Sequence, residues 1–484
     1  MGILSGLEPA RVFEIFEDIC NIPHASGNME GIAEYLCSFA EKNKLRYIRE
    51  QCGNVIIFVP ASEGYEDSDI VMLQGHLDMV CEKSADSRHN FERDPLPLAV
   101  MEDMIFSKKT ALGGNGVAIG ICLALAERDD IAHPALEIVM TANKENDMLG
   151  VKALDVSVLN ARTLINLDNN REGVFITSCA GGLKGHIQLP VRYRRRSGEK
   201  YNIVVSGFMG GHSGKDIHKY GGNANIIMGR LLHLLSSKLD FDLVNLRGGL
   251  MVSAIPRDAD CTILVSDENV PKLETVVEEF ERTIRNEYRA NENNVQIYCN
   301  DLGYFEEEEA LTVKTMERLV FLLNTLPDGV QKMSVDRETP GLVEASLNIG
   351  IMRLNGAEFL LEAAVRSSVA SEKYYLSDKL RYLTETIGGH YDELGDYPGW
   401  EFKSDSRLLK VMNSVYLAQN GSAPVITGVH AGLETGIISS KLPGLDIISC
   451  GPEITNVRTP NERLSISSVE RLWKFLIAVL KELK

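Results

Sequence analysis

Short apolar runs that alternate with helical patterns constrain the fold of this chain most strongly. Residues 70–73 are apolar and lead directly into Gln74-Gly75-His76-Leu77-Asp78, and residues 136–141 and 163–167 are apolar runs of the same kind. Residues 116–127 are rich in Ala, Ile and Leu, as in a buried helix. Strands that alternate with helices are typical of a largely parallel sheet. The sequence therefore predicts an α/β fold whose mostly parallel central sheet is flanked by helices.

The polar residues after the first apolar run form a candidate metal site. His76 and Asp78 lie two apart at the end of a predicted strand, so their side chains point to the same side. A carboxylate close to a metal-ligating histidine orients its ring, and open α/β sheets place their sites at the carboxyl ends of strands. The pair alone is a weak signal, because most such pairs are ordinary polar residues at a strand end.

Further motifs follow along the chain and make the signal specific. They are Leu112-Gly113-Gly114-Asn115-Gly116, Thr141-Ala142-Asn143-Lys144-Glu145, Leu164-Ile165-Asn166-Leu167-Asp168, Gly210-Gly211-His212-Ser213-Gly214, His430-Ala431-Gly432-Leu433-Glu434 and Arg458-Thr459-Pro460-Asn461-Glu462. In order and spacing they resemble the peptidase D family, bacterial cytosolic aminoacyl-histidine dipeptidases related to carnosinase. The resemblance covers essentially the whole chain. It implies a two-domain metallopeptidase with an α+β lid domain inserted in the catalytic-type domain.

The resemblance also implies a dinuclear zinc site, which this chain changes at three positions. The family has a bridging Asp where this chain has Asn115, a general-base Glu where it has Lys144, and a metal-ligating His where it has Arg458. By the resemblance, Asp78 and position 144 belong to the catalytic group. The residues that stand as the family has them are His76, Asp78, Glu145 and Asp168.

Each change removes a chemical capacity. A neutral amide such as Asn115 is a poor bridge between two cations, which favour carboxylate oxygen. Lys144 is protonated near neutral pH unless it is strongly desolvated, so it cannot take a proton from water as a glutamate does. Arg458 has no lone pair to offer a metal. We therefore expect no full dinuclear zinc site, and the remaining alternatives are a single metal or none.

The three changes together add positive charge. Asp to Asn adds one unit of positive charge, Glu to Lys adds two, and neutral His to Arg adds one. The total of four equals the charge of two divalent ions. Our hypothesis is that Lys144 and Arg458 take the electrostatic role of the metals and pair with Asp78, Glu145 and Asp168. Buried carboxylates without partners are costly, so a metal-free fold needs such compensation.

A shift of the motif by one residue is the alternative interpretation. In that register Glu145 is the base and Asp147 is a ligand. The residues on both sides favour the first register, because Thr141 precedes the motif and Gly150 follows it as expected.

The motifs of the predicted lid are largely retained. By the resemblance, His212 stabilises the oxyanion of the scissile carbonyl, Arg366 in Val365-Arg366-Ser367 holds a substrate carboxylate, and Asn223 and Gly432 contribute to substrate binding. The alternatives are a surface-loop histidine and an ordinary arginine at a strand end. Losses therefore concentrate on the metals and the base, whereas most of the peptide-holding groups remain.

The length and the resemblance predict the domain organisation. A chain of 484 residues is long enough for two or more domains. We expect a first part of the catalytic-type domain at 1–186, a lid domain of two similar α+β halves at 187–399, and a second part of the catalytic-type domain at 400–484. The sequence does not decide between a monomer and a homodimer.

Composition excludes several classes of partner. A formal net charge of −18 argues against nucleic acid, and the chain has no apolar run of about 18 residues that would span a membrane. Nine scattered cysteines without a CxxC pair favour reduced thiols and a cytoplasmic protein. The one basic cluster, residues 192–196, is interpreted as a solvated loop between domains, and an anion-binding role is the alternative.

Three functions remain open from the sequence. The first is a peptidase-D-like protein that binds a dipeptide or short peptide in an interdomain cleft and hydrolyses it weakly or not at all. The second is an active dipeptidase for Xaa-His or similar dipeptides, with a single metal at His76, Glu145 and Asp168. The third is different chemistry in the same cleft, with Lys144 as a nucleophile towards a carbonyl.

Overall fold

The computed structural model describes residues 2–335 and 341–484; residues 336–340, within the predicted lid domain, and Met1 lie outside this description. The α-helices of the described residues are α1 (Ala10–Cys20), α2 (Glu30–Lys42), α3 (Val117–Ala126), α4 (Leu149–Ala153), α5 (Ala224–Lys238), α6 (Val270–Glu287), α7 (Val313–Thr325), α8 (Ala370–Thr386), α9 (Arg407–Asn420), α10 (Glu434–Lys441) and α11 (Ile466–Glu482).

The strands of the described residues are β1 (Arg46–Arg49), β2 (Val55–Val59), β3 (Val71–His76), β4 (Leu98–Met101), β5 (Met104–Ser107), β6 (Leu136–Thr141), β7 (Thr163–Asn166), β8 (Val174–Cys179), β9 (Gly181–Pro190), β10 (Tyr193–Ser206), β11 (Gly211–His212), β12 (Phe241–Gly248), β13 (Ala254–Ile255), β14 (Ala259–Val265), β15 (Gln296–Leu311), β16 (Gly329–Met333), β17 (Val343–Asn355), β18 (Glu358–Ser367), β19 (His390–Tyr397), β20 (Val425–Val429), β21 (Asp446–Ser449), β22 (Ile454–Thr455) and β23 (Arg463–Ser465).

The chain divides into two compact units. The first comprises residues 1–178, 402–428 and 433–484, and the second comprises residues 179–401 and 429–432. Each unit has its own large apolar core. The assignment of these units to the predicted catalytic-type and lid domains, with boundaries at 187 and 400, remains a prediction.

An eight-stranded sheet organises the first unit. Its order is β1-β2-β6-β3-β7-β21-β8-β20. The central strands β6, β3, β7 and β21 run parallel to one another. At the two ends of this group the pairing is antiparallel, between β1 and β2, β2 and β6, and β21 and β8. The predicted α/β class is confirmed, and the parallel part is the centre of a mixed sheet. The carboxyl ends of the parallel strands consequently meet at one edge.

Buried helices fix this sheet. All ten residues of α3 are buried, which explains why its sequence is apolar all round. Helix α1 packs on α3 through an apolar stripe that includes Phe16. A Cβ atom at Gly120 of α3 would lie 2.7 Å from the carbonyl oxygen of Val12. The two helix backbones therefore approach so closely that only glycine fits at this position.

The second unit is built from two stretches with the same topology. Its large sheet has the order β15-β10-β14-β12-β17-β18-β9-β19. One half runs β10-α5-β12-β14-α6-β15, and the other runs β9-α7-β17-β18-α8-β19, so that both follow a β-α-β-β-α-β sequence with the same spatial order of strands. The halves meet where β12 pairs with β17. Helix α5 contacts both α6 and α7, and α7 contacts α8, so the helices pack side by side.

One expectation about this unit is wrong. Residues 192–196 are not a solvated loop, because β10 begins at Tyr193 and pairs with β15 from its first residue. Arg194 and Arg196 of this strand bind the carboxylate of Asp242, at 2.6 and 2.8 Å. Within residues 2–335 and 341–484, every helix is too short or too polar to cross a membrane.

Two phenylalanines of the second unit test where its core lies. Phe359 of β18 is fully buried, whereas the side chain of Phe321 on α7 is 44% exposed. We expect Phe359→Ala to lower the free energy of unfolding by about 3–5 kcal/mol, because it leaves a cavity. Phe321→Ala is the matched control and should cost about 1 kcal/mol or less. Denaturant titration of both variants measures this, and equal losses would contradict the position of the core.

Candidate functional site

Polar side chains of the first unit converge at the carboxyl ends of its parallel strands. His76 is the last residue of β3, Asp168 follows β7 by two residues, and Lys144 and Glu145 follow β6. Asn115 lies in the turn before α3. Arg458 joins them from the loop between β22 and β23. The structure thus brings together the residues that the sequence predicts for the metal site, because neighbouring parallel strands end at one edge.

Lys144 lies at the centre of this group. Its ammonium nitrogen is 2.9 Å from Asp168 Oδ2, 3.0 Å from Glu145 Oε1 and 3.5 Å from His76 Nε2. The side chain of Lys144 is 12% exposed, and those of Asp168 and Glu145 are 9% and 14% exposed. Burial alone would lower the pKa of Lys144, but the carboxylates of Asp168 and Glu145 outweigh it and raise that pKa. The ammonium is therefore protonated at neutral pH.

The other two changed positions reinforce this pairing. Arg458 holds Glu145 with its guanidinium, at 2.8 Å from Oε1 and 2.7 Å from Oε2. The side-chain amide of Asn115 donates a hydrogen bond to Asp168 Oδ1, and the amide oxygen of Asn115 is buried without a partner among the described residues. Burial would raise the pKa of Glu145, and the cations of Lys144 and Arg458 lower it instead. Asn115, Lys144 and Arg458 consequently each contact Asp168 or Glu145.

Asp78 is held differently from the other acids. Its two oxygens accept the backbone N–H groups of Lys144 and Glu145, at 2.9 and 3.0 Å, and the hydroxyl of Ser26 at 2.6 Å. His76 Nδ1 lies 3.5 Å from Asp78 Oδ1. Of the three acids predicted to pair with Lys144 and Arg458, Asp78 forms no side-chain ion pair with either among the described residues, because backbone N–H groups and the hydroxyl of Ser26 occupy its oxygens.

His76 lies between two carboxylates. Its Nε2 atom is 3.3 Å from Asp168 Oδ1. Burial and the Lys144 ammonium lower the pKa of His76, but Asp168 and Asp78 outweigh them and hold that pKa at about 9. In the part of the chain that the structure describes, no three histidine, cysteine, aspartate or glutamate side chains are arranged to hold a metal ion.

Two buried glutamates support the group, and the sequence assigns no role to either. Glu434, the first residue of α10, accepts a hydrogen bond from Gln74 Nε2 at 2.8 Å, and burial raises its pKa to about 7. Glu462 accepts the N–H of Gly114 at 2.8 Å and that of Arg458 at 3.3 Å, so it ties the turn of Asn115 to the loop of Arg458. Both belong to quoted motifs, but only their burial distinguishes them from surface acids.

Arg366 is the central cation of a second group, which lies in the second unit. It stands on β18, opposite Ser346 of β17, and is 8% exposed. Its guanidinium donates to Tyr397 Oη at 2.8 Å and to Ser213 Oγ at 3.4 Å. Among the described residues, no carboxylate lies within ion-pair distance of Arg366. A buried cation without a counter-ion is costly, and two of its five N–H groups remain for a ligand.

His212 of the same unit is a neutral donor. Its Nδ1 atom accepts the backbone N–H groups of Gly214 and Lys215, at 3.0 and 3.1 Å. The proton of the neutral ring therefore sits on Nε2. Burial and the positive charge of Arg366 lower the pKa of His212. This arrangement suits the predicted stabilisation of an oxyanion, which stays a prediction.

The other predicted binding residues of this unit occupy different positions. Asn223 is buried and caps α5, because its side-chain oxygen accepts the N–H of Asn225 at 3.0 Å. Gly432 lies against Tyr397, whose ring would be 2.7 Å from a Cβ atom at that position. The ring of Tyr397, whose hydroxyl binds Arg366, therefore leaves no space for a side chain at position 432. The predicted roles of Asn223 and Gly432 in substrate binding remain predictions.

His430 is a buried residue of a quoted motif, and the sequence assigned no role to its side chain. Its Nε2 atom lies 2.6 Å from Ser346 Oγ. Burial and the charge of Arg366 lower its pKa to about 3, so its ring is neutral throughout the physiological range. The histidines near Arg366 are consequently uncharged, and the guanidinium is the main positive charge of this group.

Removal of the central ammonium tests the pairing in the first unit. We expect Lys144→Met to lower the free energy of unfolding by about 3–5 kcal/mol in the presence of chelator, because it leaves buried carboxylates without a partner. Arg458→Met is the matched control: its side chain is 53% exposed, and an exposed ion pair contributes about 0–1 kcal/mol. Calorimetry and denaturant titration measure both, and equal losses would contradict the central position of Lys144.

The neutral His430 makes the stability of the protein depend on pH in a defined window. Between about pH 3 and pH 6.5 the unfolded histidine binds a proton that the folded one excludes. Stability from this group is therefore present above pH 6.5 and decreases as the pH falls, by at most about 1.4 kcal/mol per pH unit. We expect His430→Asn to lose less stability than the unchanged protein between pH 6.5 and pH 4.5. Parallel slopes in denaturant titrations would contradict the neutral, buried ring.

Known proteins provide an independent comparison. No model of a protein family matches the chain. The cytosol non-specific dipeptidase of Escherichia coli (strain K12) is 33% identical over 486 residues, which cover 100% of this chain and 99% of that protein. The crystal structure of the aminoacylhistidine dipeptidase from Vibrio alginolyticus is 32% identical with a TM-score of 0.94, covering 99% of this chain and 98% of the other. Aminopeptidase PepT from Bacillus cereus ATCC 10987 shares the fold, with a TM-score of 0.55, 13% identity and 99% coverage of both chains. The identity to the dipeptidase over the full length shows that this chain belongs to the peptidase D family of dipeptidases.

Proposed function

We propose that this member of the peptidase D family binds a dipeptide or short peptide and hydrolyses it weakly or not at all. The observation that carries the proposal is the position of Lys144, whose ammonium contacts His76, Glu145 and Asp168 at 2.9–3.5 Å. These three residues are the retained candidates for metal ligands. An ammonium at their centre takes the place where a cation would be coordinated, so two divalent ions do not fit this arrangement.

The chemistry of the changed residues supports the same conclusion. The amide nitrogen of Asn115 faces Asp168, so its N–H group donates to the acid where a bridging carboxylate would accept a cation. Lys144 is protonated and has no lone pair for abstraction of a proton from water. The same protonation argues against Lys144 as a nucleophile, because attack on a carbonyl requires the neutral amine.

The ligand that the second unit suits is a carboxylate. Arg366 is buried and lacks an acidic partner among the described residues, and its remaining N–H groups match a carboxylate in a planar fork. The Nε2–H of His212 is a further neutral donor of this unit. The free carboxylate of a dipeptide and its peptide carbonyl are the groups that such donors recognise. The E. coli relative, named a non-specific dipeptidase, makes dipeptides the first ligands to test.

A working dipeptidase with one metal is the second candidate. The observation that favours it is that His76, Glu145 and Asp168 all lie within 3.5 Å of one point, the Lys144 nitrogen. Withdrawal of that side chain would leave three donors converging. This candidate needs a general base other than Lys144, whose amine is protonated. A cytoplasmic location accords with the cytosolic E. coli relative, and a homodimer remains a prediction.

The triple reversion Asn115→Asp, Lys144→Glu, Arg458→His distinguishes the candidates. We expect the unchanged protein to contain no stoichiometric zinc, manganese or cobalt and to show no dipeptidase turnover, yet to bind dipeptides in calorimetry. The revertant should bind zinc, because it regains three ligating or basic groups.

Arg366→Met should weaken dipeptide binding by at least about tenfold, since a charged hydrogen bond contributes about 1.5–3 kcal/mol.

Each measurement has an outcome that contradicts the proposal. Metal and turnover in the unchanged protein would favour the single-metal dipeptidase. If no dipeptide binds, or if Arg366→Met binds dipeptides with unchanged affinity, the proposal that Arg366 binds the dipeptide carboxylate is wrong. A revertant that is folded but binds no zinc would show that the three positions are not the ones that exclude the metals.

A further inference from the structure

The large sheet of the second unit is weakly paired near Arg366, His212 and Ser213. Strands β12 and β17 join the two halves of the sheet, but they pair only at Arg247 with Arg353 and Gly248 with Met352. Just before these residues, β17 has an irregularity against β18, between Ile349 and Ile351. On the other side of β17 from β18, the pairing with β16 reaches Leu347 and the pairing with β12 begins at Met352. Among the described residues, no strand therefore pairs with Ile349 on that side.

Side chains take the place of the missing strand. The N–H of Ile349 donates to Asp328 Oδ1 at 2.9 Å, and its carbonyl accepts the amides of Asn223 at 3.2 Å and Asn225 at 3.1 Å. Asn223 also donates to Asp328 Oδ1 at 2.9 Å. Buried backbone groups must find partners, and here the partners come from the start of α5 and the segment after α7.

Asn348, the residue before Ile349 on β17, extends this arrangement to the loop that pairs with His212 and Ser213. The buried amide of Asn348 donates to the carbonyls of Val252, at 3.0 Å, and Ala254, at 2.9 Å. Ala254 pairs with His212 in the two-stranded sheet of β11 and β13. The N–H of Ser213 donates to the carbonyl of Ser253 at 2.8 Å. Asn348 therefore holds the loop of residues 252–254, and that loop in turn holds the backbone of His212 and Ser213.

The same strand also positions the other members of the group. Ser346, two residues before Asn348, contacts His430 at 2.6 Å and stands opposite Arg366 on β18. Residues two apart on a strand share a face. A displacement of β17 at Ile349 therefore reaches the loop of His212 through Asn348 and the guanidinium through Ser346.

We infer that Asn223, Asp328 and Asn348 form a polar seam whose function is to position His212, Ser213 and Arg366 for the ligand. The inference rests on the proposed function and gives Asn223 a different role from the predicted one. Asn223 and Asp328 are positioning residues that act through Ile349, and Asn348 acts through the loop of residues 252–254. The seam lies beside the two residue pairs through which β12 and β17 join the halves of the sheet.

Three variants of the seam and one control test it. Asn348→Leu and Asp328→Leu remove the polar atoms with little change in size, and Asp328→Asn keeps an acceptor oxygen for Ile349 and Asn223. Asp242→Leu is the control, because Asp242 is a buried carboxylate of the same unit that lies outside the seam. Its ion-pair partners among the described residues are Arg194 and Arg196. All four are compared as folded full-length protein, at a temperature well below the lowest unfolding midpoint.

We expect the dipeptide Kd to rise at least about tenfold in Asn348→Leu and Asp328→Leu, and to stay within about twofold in Asp328→Asn and Asp242→Leu. Hydrogen exchange of the ligand-free proteins gives a readout that does not require a peptide. Residues 209–216 and 250–256 should exchange faster in the two Leu variants of the seam and as in the unchanged protein in the other two.

The outcomes separate the inference from the proposed function. If the unchanged protein binds no dipeptide, the proposed function fails, and the exchange data still decide whether the seam fixes the His212 loop. If dipeptides bind and Asn348→Leu retains both the affinity and the exchange rates, the inference is overturned while the proposed function stands. An equal loss of affinity in Asp242→Leu also overturns it, because general destabilisation would then suffice.

Discussion

The contact of one buried ammonium with two buried carboxylates is the interaction on which the first unit depends. Three parallel strands deliver His76, Glu145 and Asp168 to a single edge, where the side chains of the two acids are largely buried. An uncompensated buried charge costs several kcal/mol. Lys144 supplies the compensation from the loop that follows β6, without any change in the path of the chain.

The two units differ in how their charges are balanced. In the first unit, cations and acids contact one another at 2.7–3.5 Å, and Asp78 is further held by backbone donors. In the second unit, the described side chains that accept hydrogen bonds from the buried Arg366 are the neutral groups Ser213 and Tyr397. A balanced cluster has little to gain from a charged ligand, whereas an unbalanced one gains from a counter-ion. This contrast is the reason for the proposal of ligand binding without hydrolysis.

Much of the fold and of the candidate site could be predicted from the sequence. Apolar runs marked β3, β6 and β7, because strands buried on both faces are continuously apolar. Polar residues after those runs marked the cluster around His76, because parallel strands end together. The contacts of Asp78 could not be predicted, since they depend on where the backbone N–H groups of residues 144 and 145 point. The strand at residues 193–196 was missed because its arginines bind Asp242, which lies 46–48 residues away in the chain.

The sequence by itself determined the family and the α/β class, and it supplied the prediction that Asn115, Lys144 and Arg458 replace two metal-binding groups and the base. These follow from residue identity and order, which tertiary structure does not alter. Only the tertiary structure decided that the ammonium of Lys144 lies among the acids, that Arg366 lacks a counter-ion among the described residues, and that Asn223 serves the backbone of Ile349. The physical reason is that charge balance and hydrogen-bond satisfaction depend on distances of a few ångströms between residues far apart in sequence, and no local pattern encodes those distances.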